Sequence, residues 1–408
     1  MKCRFCKNEL DQGFVDLQNS PASNSFLTKK QLNEMEAYFP LNIFVCDACY
    51  LVQIDEYKNA TEIFDGEYLY FSSFSKSWLA HAKRYCDAMV ERFNFNESSS
   101  IIEIASNDGY LLQYFHERII PVLGIEPTAN TAEVARSKGI ESIVKYFGVQ
   151  TAKELVEEGR KADLLLGNNV LAHVPDINDF VGGMKLILAE NGVITMEFPH
   201  LYQLVKYNQF DTIYHEHFSY LSFTTVSKIF AAVRLQMFDV EELPTHGGSL
   251  RIYAKHESNH THQITENVAK LLEKERAAGM TSKSYYQGFQ EACDTIKIDF
   301  LSFLIDANKA NKKIAGYGAA AKGNTLLNFC GVKKDFISYV VDANPHKQNK
   351  FLPGSHIPVV DESVLKADKP DYVIIFPWNL KEEIVEQLSY IREWGGKFVI
   401  AIPEVTIL

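Results

Sequence analysis

Ser100-Ile101-Ile102-Glu103-Ile104-Ala105-Ser106-Asn107-Asp108-Gly109 reads as an apolar strand that runs into a turn of small residues, with a helical run, Tyr110–Arg118, behind it. Small residues at such a turn let the backbone approach a ligand, and the following helix start offers free N–H groups. The next apolar run, Val122–Ile125, ends at Glu126. From that position a carboxylate can take both ribose hydroxyls of a nucleoside.

Outward from this unit, apolar strands alternate with amphipathic helices from Ile101 to Lys255. This is the pattern of a parallel α/β sheet. Further strands are expected at Leu164–Gly167 and Gly192–Glu197. A hairpin pairs Gln236–Glu241 with Ser249–Lys255 through Pro244-Thr245-His246-Gly247-Gly248. Asn168 and Asn169 follow their strand at the carboxyl edge of the sheet, where open α/β folds bind ligands. The loop lacks the first two glycines of GxGxxG. This argues against a dinucleotide and for a cofactor without phosphate, a description that S-adenosylmethionine fits. The plain alternative is an ordinary strand–helix turn with a surface Glu.

Residues 261–312 carry no strand signal and read as two polar helices, a linker or a bridge. A second α/β unit opens at Lys313 with Gly316-Tyr317-Gly318-Ala319-Ala320-Ala321-Lys322-Gly323. It continues through Ile337–Val341 and Tyr372–Phe376 and closes at Lys397–Ile402. Lys322 in that turn is available for phosphate. Gly247, Ser249 and Arg251 of the hairpin are weaker phosphate candidates, and Trp378-Asn379 can meet a base. Asp342, ending the next strand, also suits a ribose, so an NAD-dependent nucleotide-sugar dehydrogenase or epimerase is the rival reading. A non-catalytic nucleotide-sugar-binding protein is the third.

At the other end, Cys3-x-x-Cys6 and Cys46-x-x-Cys49 are two knuckles, while Cys86, Cys293 and Cys330 stand alone. Two thiolates separated by two residues bind one ion from a single turn. Two such turns complete a tetrahedral Cys₄ zinc site with no open position, so this metal should hold the fold and do no chemistry. Seven cysteines in 408 residues are too few for a disulfide scaffold and fit a reduced compartment.

Tyr214-His215-Glu216-His217 is the densest group of titratable residues, and His173 leaves the neighbouring strand at the same edge. Removing a proton from carbon beside a carbonyl needs a base that is neutral near pH 7, which histidine supplies. A flanking carboxylate can orient the imidazole, and a tyrosine hydroxyl can hydrogen-bond the developing enolate oxygen. A metal site on His173, His215, Glu216 and His217, or plain surface histidines, are the alternatives.

The formal net charge of −11, with no basic run, speaks against nucleic acid as a partner while allowing a small anionic ligand. No apolar run is long enough to cross a bilayer, and the start MKCRFCKNEL lacks a secretory apolar region. A cytoplasmic location without membrane partners is the expectation; the oligomeric state stays open, a monomer included.

With these strings assembled, the chain resembles the sugar C-methyltransferase family, whose members methylate C3 of dTDP-4-keto-deoxysugars. The similarity runs through nearly the whole chain. It is carried by the Cys pairs, Gly66-Glu67-Tyr68-Leu69-Tyr70-Phe71-Ser72-Ser73, Ala105–Gly109, Tyr214–His217 and Gly316–Gly323. The resemblance implies a zinc lobe (residues 1–65), a class I methyltransferase Rossmann-like domain (66–260), a helical linker (261–312) and a C-terminal Rossmann-like domain (313–408) that helps hold the nucleotide sugar. His217 would be the base, supported by Tyr214 and Glu216, with His173 and Tyr68 near the sugar. Tyr70, Ser72, Glu103, Ala105, Asn107, Gly109, Glu126, Asn168 and Asn169 would face S-adenosylmethionine, and Lys322 and Asn324 the substrate.

Overall fold

The apolar runs around the cofactor turn become the centre of a seven-stranded sheet in the computed structural model, which describes residues 1–57 and 71–408. Three sheets carry the strands, numbered along the chain: β1 (Gln12–Ser20), β2 (Phe39–Val45), β3 (Val52–Ile54), β4 (Ile101–Ile104), β5 (Val122–Ile125), β6 (Ser142–Ile143), β7 (Ala162–Asn168), β8 (Leu188–Pro199), β9 (Ser219–Tyr220), β10 (Leu235–Leu243) and β11 (Ser249–His256). The C-terminal ones are β12 (Ile314–Tyr317), β13 (Val340–Val341), β14 (Val359–Val360), β15 (Tyr372–Ile375), β16 (Lys397–Ile400) and β17 (Thr406–Ile407).

The central sheet runs in the order β10-β11-β8-β7-β4-β5-β6. Its β8-β7-β4-β5-β6 part is parallel, and the β10–β11 hairpin joins antiparallel to β8. Every residue of β4 is buried, as expected for a parallel strand covered on both faces. The order reverses beside β4, with β5 on one side and β7 on the other. Their carboxyl ends, carrying Ala105, Glu126 and Asn168, open onto one crevice.

The C-terminal sheet, β14-β13-β12-β15-β16-β17, is parallel except for β17. The N-terminal sheet is β1-β2-β3-β9, all antiparallel. Its last strand comes from far along the chain: Val52 and Gln53 pair with Tyr220 and Ser219. The zinc knuckle on the β2–β3 turn is thereby tied through the sheet to the residues just after His217.

The stretch read as polar helices is packed on one side. Helix Phe289–Lys309 buries Phe289, Cys293, Ile296, Phe300, Leu304 and Ala307 in the core shared with Phe14, Leu327 and Ile374. Helix Glu266–Ala277 buries Glu275, whose carboxylate accepts from Phe223 N and Thr224 N at 2.7 Å each and pairs with His200 Nε2 at 2.7 Å. Both helices are structural members of the body. Among the described residues, no helix is long and apolar enough to cross a membrane.

Candidate active site

A cavity of about 390 Å³ lies at the carboxyl edge of the central sheet. One wall is the cofactor turn. Ala105, Asn107 and Gly109 all have positive φ (56°, 50° and 74°), which folds the turn back against β5. A Cβ at Gly109 would meet Ile140 Cδ1 at 2.5 Å, so side chains are excluded there. Glu126 closes the turn by accepting from Asn107 N at 2.8 Å and from Thr128 N at 2.9 Å, and the Thr128 hydroxyl also donates to it. Burial raises the Glu126 pKa, and the hydrogen bonds from Thr128 and Asn107 oppose the rise.

Ser72 N donates to Asn107 Oδ1 at 2.9 Å, and Lys138 Nζ donates to Ser73 Oγ at 2.9 Å and Asp108 O at 2.7 Å. Asn169 Nδ2 donates to His246 Nε2 at 2.9 Å. Ser72, Ala105, Asn107, Glu126, Asn168 and Asn169 all line the cavity.

Two other residues expected at the cofactor do not line it. Gly109 is covered by Ile140 and Ala135. Glu103 is fully buried below the loop, and neither of its oxygens has a hydrogen-bond partner among the described residues. Burial first, then the nearby Glu126 and Asp108 charges, push its carboxyl well above the usual range. It therefore fits a role under the loop rather than on the ligand. Tyr68 and Tyr70 lie outside the described residues.

The opposite wall holds the histidines. His217 Nδ1 donates to Thr212 O at 2.8 Å, and His173 Nδ1 donates to Glu216 O at 2.8 Å. A carbonyl can only accept, so in each ring the Nδ1 carries the proton and the Nε2 keeps its lone pair in the neutral form. The rings stand edge to face with centroids 4.6 Å apart, and Tyr214 lies 4.0 Å from His217. Burial pulls the His173 pKa down to about 4. Burial, then the neighbouring His173, hold His217 well below 6.5, with Lys322 contributing.

One expected detail changes. The group that orients His217 is the Thr212 carbonyl, whereas the Glu216 carboxylate accepts from Asn24 Nδ2 with both oxygens at 2.8 Å. A backbone carbonyl held in a 3₁₀ turn fixes the tautomer without adding charge beside His217.

The third wall is the glycine-rich turn after β12. Lys322 Nζ donates to Asn379 Oδ1 at 2.9 Å and sits 4.3 Å from the Trp378 ring. Trp378 Nε1 in turn donates to Asp211 Oδ2 at 2.7 Å. Burial lowers the Lys322 pKa to about 8, against the opposing pull of Asp211. Lys347 also lines the cavity, its Nζ on Ala319 O at 2.8 Å.

The remaining phosphate candidates point elsewhere. Arg251 is 6% exposed and held by Glu197 at 2.9 Å and Glu241 at 3.1 Å. Ser249 Oγ donates to Thr245 O at 2.9 Å, and Gly247 packs so closely on Trp378 that a Cβ would meet that ring at 2.4 Å. Asn324 is buried with its Nδ2 on Ser23 O. A cation in a hairpin sequence does not reveal which face it takes, and here the buried Glu197 and the partly exposed Glu241 claim Arg251. Asp342, the cue for a ribose, is used by its own turn, accepting from Ala319 N at 2.7 Å and Asn344 N at 2.8 Å.

Asn24, Trp78, His246 and Lys347 belong to the site or its frame without having been expected. Trp78 lies in the first turn of helix Lys76–Phe93, capped by Ser75, and stacks over Tyr110 with centroids 6.0 Å apart. The hairpin string already contained His246. Nothing local in the sequence marks Asn24.

Away from the cavity, the Sγ atoms of Cys3, Cys6, Cys46 and Cys49 lie within 4.8 Å of one another, with Cys3–Cys49 at 3.6 Å and Cys6–Cys46 at 3.5 Å. Tetrahedral Zn–S bonds of about 2.3 Å require S–S edges of about 3.8 Å, so the four thiolates fit one zinc ion.

Comparison with known proteins finds three family matches along the chain. Residues 3–64 match a zinc binding domain family, 78–238 a methyltransferase domain and 244–403 a C-methyltransferase C-terminal domain. A ubiquinone biosynthesis O-methyltransferase of Chelativorans sp. is 30% identical over 99 residues, 24% of this chain and 39% of that one. The crystal structure of a SAM-dependent methyltransferase from Anabaena variabilis covers 44% of this chain and 86% of its own, with 15% identity and a TM-score of 0.36, too low to bear on function. C-methyltransferase NovU of Streptomyces niveus is 31% identical over 407 residues, spanning 100% of this chain and 96% of that one. On that full-length likeness, together with the three domain matches, the chain belongs to the C-methyltransferase family.

Proposed function

We propose that this C-methyltransferase transfers a methyl group from S-adenosylmethionine to C3 of a nucleotide-linked 4-keto-deoxysugar, with dTDP as the expected carrier. The observation that carries the reading is the pairing of His217 and His173. Both are half-buried in the cavity wall and held neutral, with Nδ1 on a backbone carbonyl. S-adenosylmethionine, when bound, supplies the methyl as a sulfonium electrophile; Ala105, Asn107 and Glu126 would hold it.

The C4 ketone acidifies the C3–H bond. His217 Nε2 takes that proton, and the electron pair passes into the enolate. C3 then bonds to the methyl, while the C–S electron pair stays on sulfur. Tyr214 is the donor for the enolate oxygen. Lys322 would hold the sugar's diphosphate, and this has a second effect. The Lys322 charge is one of the groups depressing His217, so an anion bound there raises the basicity of His217 when substrate is present. Binding both substrates across one cleft converts a bimolecular step into an oriented one.

Purified protein incubated with methyl-labelled S-adenosylmethionine and a panel of nucleotide-linked 4-keto-sugars should place label on the sugar ring. Binding of both ligands with no transfer to any member would replace this reading with a non-catalytic one.

A further inference from the structure

Between β1 and β2, residues 21–27 leave the N-terminal sheet and enter the cleft between the other two lobes. Leu27 pairs with Phe351, their N–H···O bonds measuring 2.9 and 2.8 Å, and the Ser23 carbonyl accepts from Asn324 Nδ2. Lys347 lies 5.4 Å from the Phe26 ring. The loop is therefore pinned to the C-terminal lobe on both sides of Asn24. Of described residues 1–57, Asn24 alone lines the cavity.

The orientation of its amide is fixed by chemistry. Asn24 Nδ2 lies 2.8 Å from both oxygens of Glu216, and an ionised carboxylate only accepts, so the NH₂ must face it. The carbonyl Oδ1 is turned away from Glu216 and accepts no hydrogen bond among the described residues. An anchored amide with an open acceptor, beside Glu216 and His217 in the cavity wall, is built to receive a donor from a ligand.

We infer that Asn24 is a specificity-determining residue supplied by the zinc-bearing lobe, its Oδ1 accepting a hydrogen bond from a hydroxyl or amino substituent of the sugar ring. The inference rests on the keto-sugar reading above. It gives the N-terminal lobe a part in substrate selection, where the sequence suggested only a structural one. A site built to pair a substrate O–H or N–H rejects an analogue that lacks it, because its own polar group is then left unpaired.

The test uses the full chain with zinc bound and S-adenosylmethionine as donor. Nucleotide-linked 4-keto-sugars are each compared with the analogue lacking one ring hydroxyl or amine. For one such pair, wild type should prefer the donor-bearing sugar by about tenfold or more in kcat/KM. Asn24→Ala should bring that ratio to within about twofold, chiefly by lowering kcat/KM for the donor-bearing sugar. Zinc content and thermal melting check the fold. If the Ala variant loses either, Asn24→Leu, which keeps the volume but offers no acceptor, takes its place.

Wild type with no such preference, or a folded variant that keeps the wild-type ratio, overturns the inference and leaves the methyl-transfer reading standing. Wild type that methylates no keto-sugar overturns the reading, and the inference with it.

Discussion

His217 Nδ1 lies 2.8 Å from the carbonyl oxygen of Thr212, and that contact settles which nitrogen of the ring can work as a base. Thr212 belongs to the 3₁₀ turn Phe210–Thr212, whose Asp211 is bound by Trp378 of the C-terminal lobe. After His217 the chain enters β9 and pairs with the zinc-bearing lobe. His217 is thus held between both flanking lobes.

Zinc removal should act at a distance for this reason. Structural zinc contributes on the order of 10–16 kcal/mol to small domains, so Cys46→Ser should unfold the N-terminal sheet. β3 would then release β9, the strand that follows His217 by one residue. The expected outcome is loss of methyl transfer while S-adenosylmethionine still binds in calorimetry. A chelated, zinc-free protein with wild-type turnover would rule out this coupling.

Cofactor affinity should depend on Glu126. Replacing it with Ala would remove both the proposed ligand contact and the acceptor for Asn107 N. Hydrogen bonds to charged groups contribute about 1.5–3 kcal/mol, so binding should weaken roughly 10- to 150-fold with the overall fold intact. An unchanged dissociation constant would remove Glu126 from the site. If NAD bound in place of S-adenosylmethionine, the cofactor assignment would fail.

The pH profile follows from two opposite titrations. His217 and His173 are held below their ordinary value, His173 at about 4, so both are already neutral at pH 6.5 and activity should not rise through the usual histidine range. Lys322, lowered to about 8, loses its charge as pH rises through that value. The fall in kcat/KM should therefore begin near pH 8, and Lys322→Met should be weak at all pH values and lack this alkaline limb. An acid limb centred near 6.5 in free enzyme would contradict the burial of the histidines.

The parts of this design that were readable share one property: their cause is local. Ile101–Ile104 and Val122–Ile125 are strands buried on both faces, so they read as continuous apolar runs. The Cys knuckles bind from single turns. β6 and β9 are two residues each and form only because a neighbour pairs with them. The helical character of residues 289–309 was legible, but charges on the outer face hid the buried side formed by Phe289, Cys293, Ile296 and Phe300. Arg251 and Asn324 were misplaced because a side chain's type does not state its direction. Asn24 became visible only once three lobes met around it.

The measurement closest to the central claim is methyl transfer by His217→Asn. Asn keeps a similar size and a polar tip, so both ligands should bind nearly as in wild type while the rate falls by roughly 10²–10⁴. With S-adenosylhomocysteine in D₂O, any exchange of deuterium into C3 of the sugar seen in wild type should vanish in the variant. A His217→Asn enzyme with full methyl-transfer activity would contradict the account and pass the role of base to His173 or Tyr214.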